Sequence, residues 1–341
     1  MSVSSKRELQ LKKVFSVEDL STIGAYIDTT SVQSPLTVKT SLNQFSILTQ
    51  PGKQAVFVTN RDKRISAQNK EVNRGVVVPF EPSLPLSPTI QLKLSNGNCD
   101  KEVQITKLFS GLYGHATCYE AQVYNHNSTP HARLFMEEFQ GSLGSVVDGS
   151  EYFSIKKILT IMRDVAIAIH TMHKKGYYHG DLKPRNMLYN DDHGALCDYG
   201  LSDGFSTLND HMQKGFYGHP SYTAPELFGS RQFSGSIQKV EAFAFGLSLY
   251  ELLEKELPSW TKFLRIAAYE PESVTEKQQL HLKTQIDEFL NNEKALLPSI
   301  KCPHEMKVKE LFLTLLDCDP QKRPSFPEVI TQLNQILEKV S

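Results

Sequence analysis

The stretch His179–Gly200 decides the fold and reads HGDLKPRNMLYNDDHGALCDYG. It holds four polar residues in an order that suits phosphoryl transfer, namely Asp181, Lys183, Asn186 and Asp198. Asp181 can accept the proton of an attacking hydroxyl, and Lys183 can bring a positive charge to the phosphoryl group. Asn186 and Asp198 offer the hard oxygen ligands that Mg²⁺ prefers. Phosphoryl transfer needs mainly positioning and charge neutralisation, and this set offers both.

The residues between Asn186 and Asp198 predict a two-stranded hairpin. Residues 187–189 and 195–197 are short apolar runs, and residues 190–194 carry turn chemistry. Because a hairpin brings its two ends together, we expect Asn186 and Asp198 to lie side by side and to share one metal ion. The alternative is an ordinary turn rich in Asp and Asn. However, HxDxKxxN followed by DxG is a long pattern in which each position has a defined role.

These motifs resemble those of the eukaryotic-type protein kinase family, and Lys183-Pro184 resembles its serine/threonine branch. The resemblance extends over about residues 65–340. Gly218–Tyr222 (GHPSY) resembles the substrate-binding turn, and Ala224-Pro225-Glu226 resembles the motif that closes the activation segment. The family fold is α+β and bilobal, with a mainly β small lobe, a mainly α large lobe and MgATP between them.

Two further segments of the large lobe fit the same resemblance. Glu241–Gly246 (EAFAFG) resembles the buried helix of that lobe, with Glu241 where the family has Asp. Arg323 resembles the arginine that pairs with the carboxylate of Glu226, and such a fork holds a loop by two parallel hydrogen bonds. Residues 155–174 predict a long amphipathic helix that leads into the catalytic loop.

The composition is compatible with this interpretation but decides little. The chain has 341 residues and a formal net charge of -1, which argues against nucleic acid or an anionic membrane surface as the main partner. Its 5 cysteines are widely spaced without a CxxC pair, which indicates reduced thiols in the cytoplasm. No apolar run approaches the length of a membrane span. Delivery into a host cell as an effector is a second possible localisation.

The sequence predicts three regions. Residues 1–42 form a partly ordered N-terminal extension with a helix start at Ser16 and a possible docking partner. Residues 43–139 form the small lobe, enlarged by a hairpin of residues 45–49 and 55–59, and residues 140–341 form the large lobe. A second strand pair is expected at residues 65–70 and 75–80.

The phosphate-covering loop of the family is incomplete here. Such a loop normally has three glycines, because only a bare backbone approaches the phosphates closely. Counted back from Val77, the three positions are Lys70, Val72 and Gly75, and only the last is glycine. The resemblance makes Gly75 and Val77 nucleotide-binding residues, whereas an ordinary hairpin turn explains Gly75 equally well.

The remaining ATP-binding residues follow from the resemblance. Lys93 resembles the strand lysine that holds the α- and β-phosphates, with Glu102 on the following helix as its ion-pair partner. The alternative for Lys93 is a solvent-facing strand lysine. Met136 would guard the back of the adenine pocket, and the backbone from Glu137 to Phe139 would bond the adenine edge.

Regulation is expected to depart from the family. Gly180 stands where the common catalytic loop has an arginine that pairs with a phosphate on the activation segment. We therefore expect activity without phosphorylation at the four hydroxyls of that segment, which are Ser202, Ser206, Thr207 and Tyr217. Position 219 is His where the family tends to have Thr.

The sequence thus predicts transfer of the γ-phosphate of ATP, with Mg²⁺, to Ser or Thr hydroxyls of a protein substrate. Two alternatives stay open. A pseudokinase that binds partners with little or no turnover is favoured by the lost glycines. A kinase-like small-molecule phosphotransferase is disfavoured by Ala224-Pro225-Glu226 and Arg323.

Overall fold

The fold is taken from a computed structural model of the chain. The structure describes residues 36–39, 44–48, 55–65, 71–79, 87–94, 99–126, 128–207, 218–227, 235–264, 274–292 and 305–339. The helix start expected at Ser16 lies outside these residues. The chain divides into two compact units, which are treated separately: the first unit is residues 1–107 with 117–138, and the second is residues 108–116 with 139–341.

The first unit is built on one antiparallel sheet with the strand order β1-β2-β3-β4-β5-β7-β6. Its strands are β1 (Leu36–Lys39), β2 (Gln44–Leu48), β3 (Ala55–Ile65), β4 (Glu71–Pro79), β5 (Ser87–Leu94), β6 (Cys118–His126) and β7 (Thr129–Glu137). The predicted hairpin of residues 45–49 and 55–59 is confirmed, since Phe45 pairs with Asn60 and Leu48 with Phe57. Strand β1 lies within the predicted N-terminal extension.

The second predicted strand pair has different bounds. Strand β3 is long and pairs with β2 on one side and with β4 on the other, with a register shift between Thr59 and Arg64. Its last residue, Ile65, pairs with Val72, so β4 begins well before Gly75. A single strand thus serves both predicted hairpins, and the bulge adds the twist that lets it do so.

The second unit is mainly helical, and helix α1 (Cys99–Phe109) leads into it from the first unit. Its further helices are α2 (Gly144–Val147), α3 (Ile155–Lys174), α4 (Ile237–Glu254), α5 (Glu276–Asn291), α6 (Glu305–Leu315) and α7 (Phe326–Leu337). Its short strands are β8 (Gly141–Ser142), β9 (Tyr177–Tyr178), β10 (Met187–Asn190), β11 (His193–Leu196) and β12 (Asp203–Gly204). The expected α+β class, with a sheet-rich N-terminal part and a helical C-terminal part, is confirmed.

Helix α3 has the predicted bounds. Ser154 caps it by accepting a hydrogen bond from the Lys157 amide at 3.2 Å, a contact worth about 1 kcal/mol. One stripe of the helix is buried and carries its apolar residues, which is the spacing of an amphipathic helix. The helix ends at Lys174, so β9 and the catalytic loop follow directly.

Helix α4 is the centre of the second unit. It is apolar around most of its circumference and buried along most of its length, as expected of a helix surrounded by protein. Helix α5 buries Leu282 and Ile286 and packs Phe289 against Tyr250 of α4. It is thus part of the packed core of the second unit. Among the described residues, no helix is both long and apolar enough to cross a bilayer.

Candidate active site

Asp181 is the centre of the candidate site. Its Oδ2 atom accepts hydrogen bonds from Lys183 Nζ at 2.6 Å and from Asn186 Nδ2 at 2.9 Å. Its Oδ1 atom is buried and has no hydrogen-bond partner among the described residues. One carboxylate oxygen is therefore held by two hydrogen bonds, while the other has none to a described residue.

The loop geometry explains why these three side chains meet. Pro184–Asn186 forms one turn of 3₁₀ helix, whose proline has the backbone angle that such a turn requires. That turn brings Asn186 back over Asp181, whose carbonyl also accepts from Asn186 Nδ2 at 2.8 Å. Lys183 has an extended backbone and lies between them.

The predicted hairpin is confirmed. Strands β10 and β11 pair in the register Met187 to Leu196 and Asn190 to His193. At its open end the Cys197 amide donates to the Asn186 carbonyl at 3.1 Å. Asp198, the next residue, therefore begins beside Asn186.

The donor set fits a magnesium ion. The Asn186 side chain makes two hydrogen bonds to described residues and both use its Nδ2 atom, so its amide oxygen makes none to them. An amide oxygen and the Asp198 carboxylate are ligands of the kind that Mg²⁺ takes from proteins. These two residues are the ones that would hold the ion, as the sequence predicts.

His179 links the two ends of this site. Its Nδ1 accepts from the Asp181 amide at 3.2 Å, and its Nε2 lies 3.1 Å from the carbonyl of Cys197. The first contact makes Nδ1 the acceptor, so Nε2 is the nitrogen that donates. A neutral imidazole thus ties the catalytic loop to the residue before Asp198.

A buried carboxylate of helix α4, that of Glu241, holds the catalytic loop by hydrogen bonds. Glu241 Oε1 accepts from the amides of His179 at 2.9 Å and Gly180 at 2.8 Å. Its Oε2 lies 2.6 Å from Nε2 of His173 on helix α3. Glu241 is 1% exposed, so these bonds satisfy a group that would be costly to bury alone. The sequence-based placement of Glu241 in the buried helix is confirmed.

Gly180 is left-handed, with φ of 82°, and is crowded by main chain. A Cβ atom there would lie 2.5 Å from the Leu201 carbonyl oxygen, and one on Gly218 would lie 2.6 Å from the Gly180 carbonyl oxygen. Leu201 and Gly218 lie on either side of residues 202–217 of the activation segment. The main chain at both positions therefore packs directly on the catalytic loop.

Ser202 makes the same connection with its side chain. Its hydroxyl donates to the His179 carbonyl at 2.7 Å, and the residue is fully buried. Ser202 cannot be phosphorylated in this conformation, because its hydroxyl is inaccessible and already hydrogen-bonded. Ser206 is exposed, the Thr207 side chain is not described, and Tyr217 lies outside the described residues.

A cavity opens at Asp181. Its walls include Gly180, Gly218, His219 and Tyr222. His219 is exposed, and its ring lies 5.4 Å from that of Tyr222. Burial and the Glu251 carboxylate, to which its hydroxyl donates, raise the pKa of Tyr222. The cavity has room for little more than one water molecule, so it adjoins Asp181 without admitting a side chain.

The predicted fork is present. Arg323 Nη1 and Nη2 donate to the two carboxylate oxygens of Glu226 at 2.6 and 2.8 Å. The same arginine donates from Nε to the Asp317 carbonyl at 2.8 Å and lies over the Phe243 ring. These contacts fix the Ala224-Pro225-Glu226 motif at the end of the cavity wall.

In the first unit, Gly75 lies inside strand β4. It pairs with Thr59 on β3 and with Thr89 on β5, and a Cβ atom there would lie 2.3 Å from the Val58 carbonyl oxygen. This close approach requires glycine, so a hairpin turn is the wrong explanation for it. Val77, on the same strand, is buried against Phe135 and Tyr119. The phosphate-binding roles of Gly75 and Val77 stay predictions.

The sheet register separates Met136 from the Lys93 position. Lys93 pairs with Arg133 and Gln91 with Phe135, whereas Met136 pairs with Ile90. Because paired positions share a face and neighbours alternate, Phe135 lies on the Lys93 face and Met136 on the other. The role of Met136 at the back of the adenine pocket stays a prediction.

The other predicted nucleotide contacts are placed only in part. Glu102 is buried on helix α1, and the Lys93 side chain lies outside the described part of the structure, so their ion pair stays a prediction. The Glu137 amide donates to the Thr117 carbonyl at 2.8 Å, which removes it as an adenine donor. Phe139 is half-buried at the start of the second unit.

Sequence reasoning missed the structural roles of two residues at this site. Ser202 carried no signal beyond its place after DxG. Likewise His115, which contacts Tyr199 from 84 residues away, has no motif around it. Contacts across such a separation depend on the tertiary fold.

Known proteins match the same part of the chain. A family described as "Protein kinase domain" matches residues 91–334. The chain is 28% identical to "Dual specificity protein kinase shkB" of Dictyostelium discoideum over 263 residues, 70% of this chain and 37% of that protein. It is 29% identical to "Putative serine/threonine-protein kinase R436" of Acanthamoeba polyphaga mimivirus over 187 residues, 55% of this chain and 59% of that protein.

A plant relative, "Serine/threonine-protein kinase VIK" of Arabidopsis thaliana, is 31% identical over 166 residues, 47% of this chain and 33% of that protein. The chain spans less than two thirds of the length of each of these relatives. The family match is broader and covers most of the chain, including the catalytic loop, the hairpin and both residues of the fork. The chain therefore belongs to the eukaryotic-type protein kinase family.

Proposed function

We propose that this chain transfers the γ-phosphate of ATP to Ser or Thr hydroxyls of a protein substrate. The observation that carries the proposal is the state of Asp181, with one oxygen bonded to Lys183 and Asn186 and the other unpartnered. The Lys183-Pro184 dipeptide and the two relatives named serine/threonine kinases support this specificity. One relative is named a dual specificity kinase, so tyrosine acceptors belong in the test.

Each polar residue has one task in the reaction. Bound MgATP would supply the phosphoryl group and neutralise part of its charge. Asp181 orients the substrate hydroxyl through Oδ1 and takes its proton. Lys183, held 2.6 Å from Asp181, brings its positive charge to the transferring group. Asn186 and Asp198 would hold the metal, and Lys93 with Glu102 would hold the nucleotide.

The activation segment supports turnover without prior phosphorylation. Leu201 and Gly218 reach Gly180 through main-chain packing, and Ser202 adds a hydrogen bond to His179. The fork between Glu226 and Arg323 fixes the far end. Gly180 also has no side-chain charge that could pair with a phosphate on the segment. Protein treated with phosphatase should therefore keep its rate, and a large loss of rate would contradict this part of the proposal.

Transfer of labelled phosphate from ATP to casein and myelin basic protein tests the activity. Asp181→Asn should lower transfer at least ~100-fold, since general base catalysis is lost. Asp191→Asn is a matched control, because Asp191 lies in the hairpin turn and is bonded to Gln140. Equal transfer by wild type and Asp181→Asn would contradict the assignment, and phosphoamino acid analysis of the product separates Ser, Thr and Tyr acceptors.

A pseudokinase is the second candidate. The observation that favours it is Gly75, which lies within strand β4 and is the only glycine of the three loop positions. Under this alternative the protein shows no label transfer, whether or not MgATP raises its melting temperature. Label found only in a small molecule would instead indicate a metabolite phosphotransferase.

A further inference from the structure

Tyr199 follows Asp198 directly and is almost fully buried, with 1% of its surface exposed. Its hydroxyl lies 2.8 Å from Nδ1 of His115 and donates to the Leu196 carbonyl at 3.2 Å. A phenylalanine would fill the same space without these bonds. The hydroxyl is therefore the feature that needs an explanation.

The segment that carries His115 is tied to the strand before Asp198. The Leu196 amide donates to the Gly114 carbonyl at 2.8 Å, and the Ala116 amide donates to the Leu196 carbonyl at 3.2 Å. His115 is thus fixed against strand β11 by main chain on both sides. From this position the His115 ring reaches Tyr199, which follows Leu196 by three residues.

Two further rings pack against this contact. Phe109 stacks on His115 at 5.1 Å and on Tyr199 at 6.1 Å, and His179 of the catalytic loop lies 5.6 Å from Tyr199. The packing holds the ring plane of Tyr199. Within that plane, the hydrogen bonds of the Tyr199 hydroxyl limit how far the ring can rotate or shift.

Asp198 needs such support. Its φ of 67° is left-handed, a conformation that few residues other than glycine adopt, although Asp and Asn do so more often than the rest. The His115 ring makes its hydrogen bond to another side chain with Tyr199, at 2.8 Å. Burial lowers the pKa of His115 to about 4, which leaves a neutral ring at pH 7.

We infer that the hydrogen bond between His115 and Tyr199 positions Asp198 for metal binding. His115 and Tyr199 are positioning residues, because they act on the metal through the backbone of Asp198. The inference rests on the proposed function, in which Asp198 holds the ion.

Binding of Mn²⁺ in the presence of ADP, followed by electron paramagnetic resonance, tests this without turnover. Tyr199→Phe and His115→Phe keep the rings and remove the bond, so each should weaken Mn²⁺ binding by about fivefold to tenfold. The double variant should be no weaker than either single variant, because both changes remove the same interaction. Tyr250→Phe, which removes a tyrosine hydroxyl from the core of α4, should bind as wild type does.

The outcomes separate the two proposals. Wild-type affinity in Tyr199→Phe overturns the inference and leaves the proposed function standing, even where the melting temperature falls. A wild-type protein that binds no Mn²⁺ with ADP overturns both. If His115→Phe fails to fold, Tyr199→Phe decides alone, since it changes a single oxygen atom.

Discussion

Arg323 holds both carboxylate oxygens of Glu226, at 2.6 and 2.8 Å, while its own side chain has no exposed surface. The two residues are 97 positions apart. The fork joins the end of the activation segment to the turn before helix α7. A buried guanidinium with this many acceptors is rigid, and its loss leaves the partly buried Glu226 carboxylate without its partner.

Arg323→Lys should lower the free energy of unfolding by about 3 kcal/mol, because lysine cannot form the two parallel bonds and leaves Glu226 poorly paired. Urea denaturation measures the change. Arg185→Lys is the control, since Arg185 also bonds both oxygens of one carboxylate, that of Asp148. That pair is exposed, so its loss should cost no more than about 1 kcal/mol. Equal losses would show that burial does not decide the strength of the fork.

Asp198→Asn should reduce phosphate transfer at least ~100-fold and leave the fold intact, since the metal loses a charged oxygen ligand. Asparagine is the right replacement because it tolerates the left-handed backbone of this residue better than alanine does. Labelled ATP measures transfer, and a melting curve checks the fold. Full activity in this variant would show that Asp198 does not hold the metal.

Gly180→Ala should destabilise the protein more than Gly176→Ala. Both glycines are left-handed, with φ of 82° and 78°, so both substitutions carry the backbone cost of about 1 kcal/mol. A Cβ atom at Gly176 meets nothing within 4 Å, whereas at Gly180 it lies 2.5 Å from the Leu201 carbonyl oxygen. The difference between the urea unfolding midpoints of the two variants measures the cost of the contact between the added Cβ atom and Leu201. Similar midpoints would mean that the Leu201 backbone moves aside without cost.

His115 should make the protein less stable in acid. Burial, with a smaller contribution from His179, lowers its pKa from 6.5 to about 4 in the folded protein. Between these pH values the unfolded chain binds the proton more readily than the folded protein does. The free energy of unfolding is therefore at its full value above about pH 6.5 and falls as the pH drops towards 4. The total is about 3 kcal/mol.

The free energy of unfolding of wild type and His115→Phe, measured from pH 7 to pH 4, checks this. The variant should lose less stability over that range than the wild type does. His281→Gln, at an exposed position of helix α5, should follow the wild type. Parallel curves for wild type and His115→Phe would contradict the expectation.

The sequence predicts the part of the site that is local in the chain. Asp181, Lys183 and Asn186 lie within one loop, and the hairpin that returns to Asp198 is short, so spacing and turn chemistry were enough. The helix at residues 155–174 followed from its apolar period in the same way.

Contacts between distant segments were beyond that reasoning. Which of Met136 and Phe135 shares the face of Lys93 depends on the register of β5 and β7, and a shift by one residue reverses it. The place of Gly75 within β4 depends on a bulge in the neighbouring strand. The burial of Ser202 follows from the path of the chain after Gly200, for which no local pattern exists.

The close packing of Gly180 on Leu201 and Gly218 has a consequence for control of the proposed activity. A contact between main chains offers no group that a second enzyme can attach or remove. At this position the activation segment has no group whose modification could switch the activity. The total activity of such a protein would depend on how much of it is made and degraded and on which substrates reach it, rather than on modification of this contact.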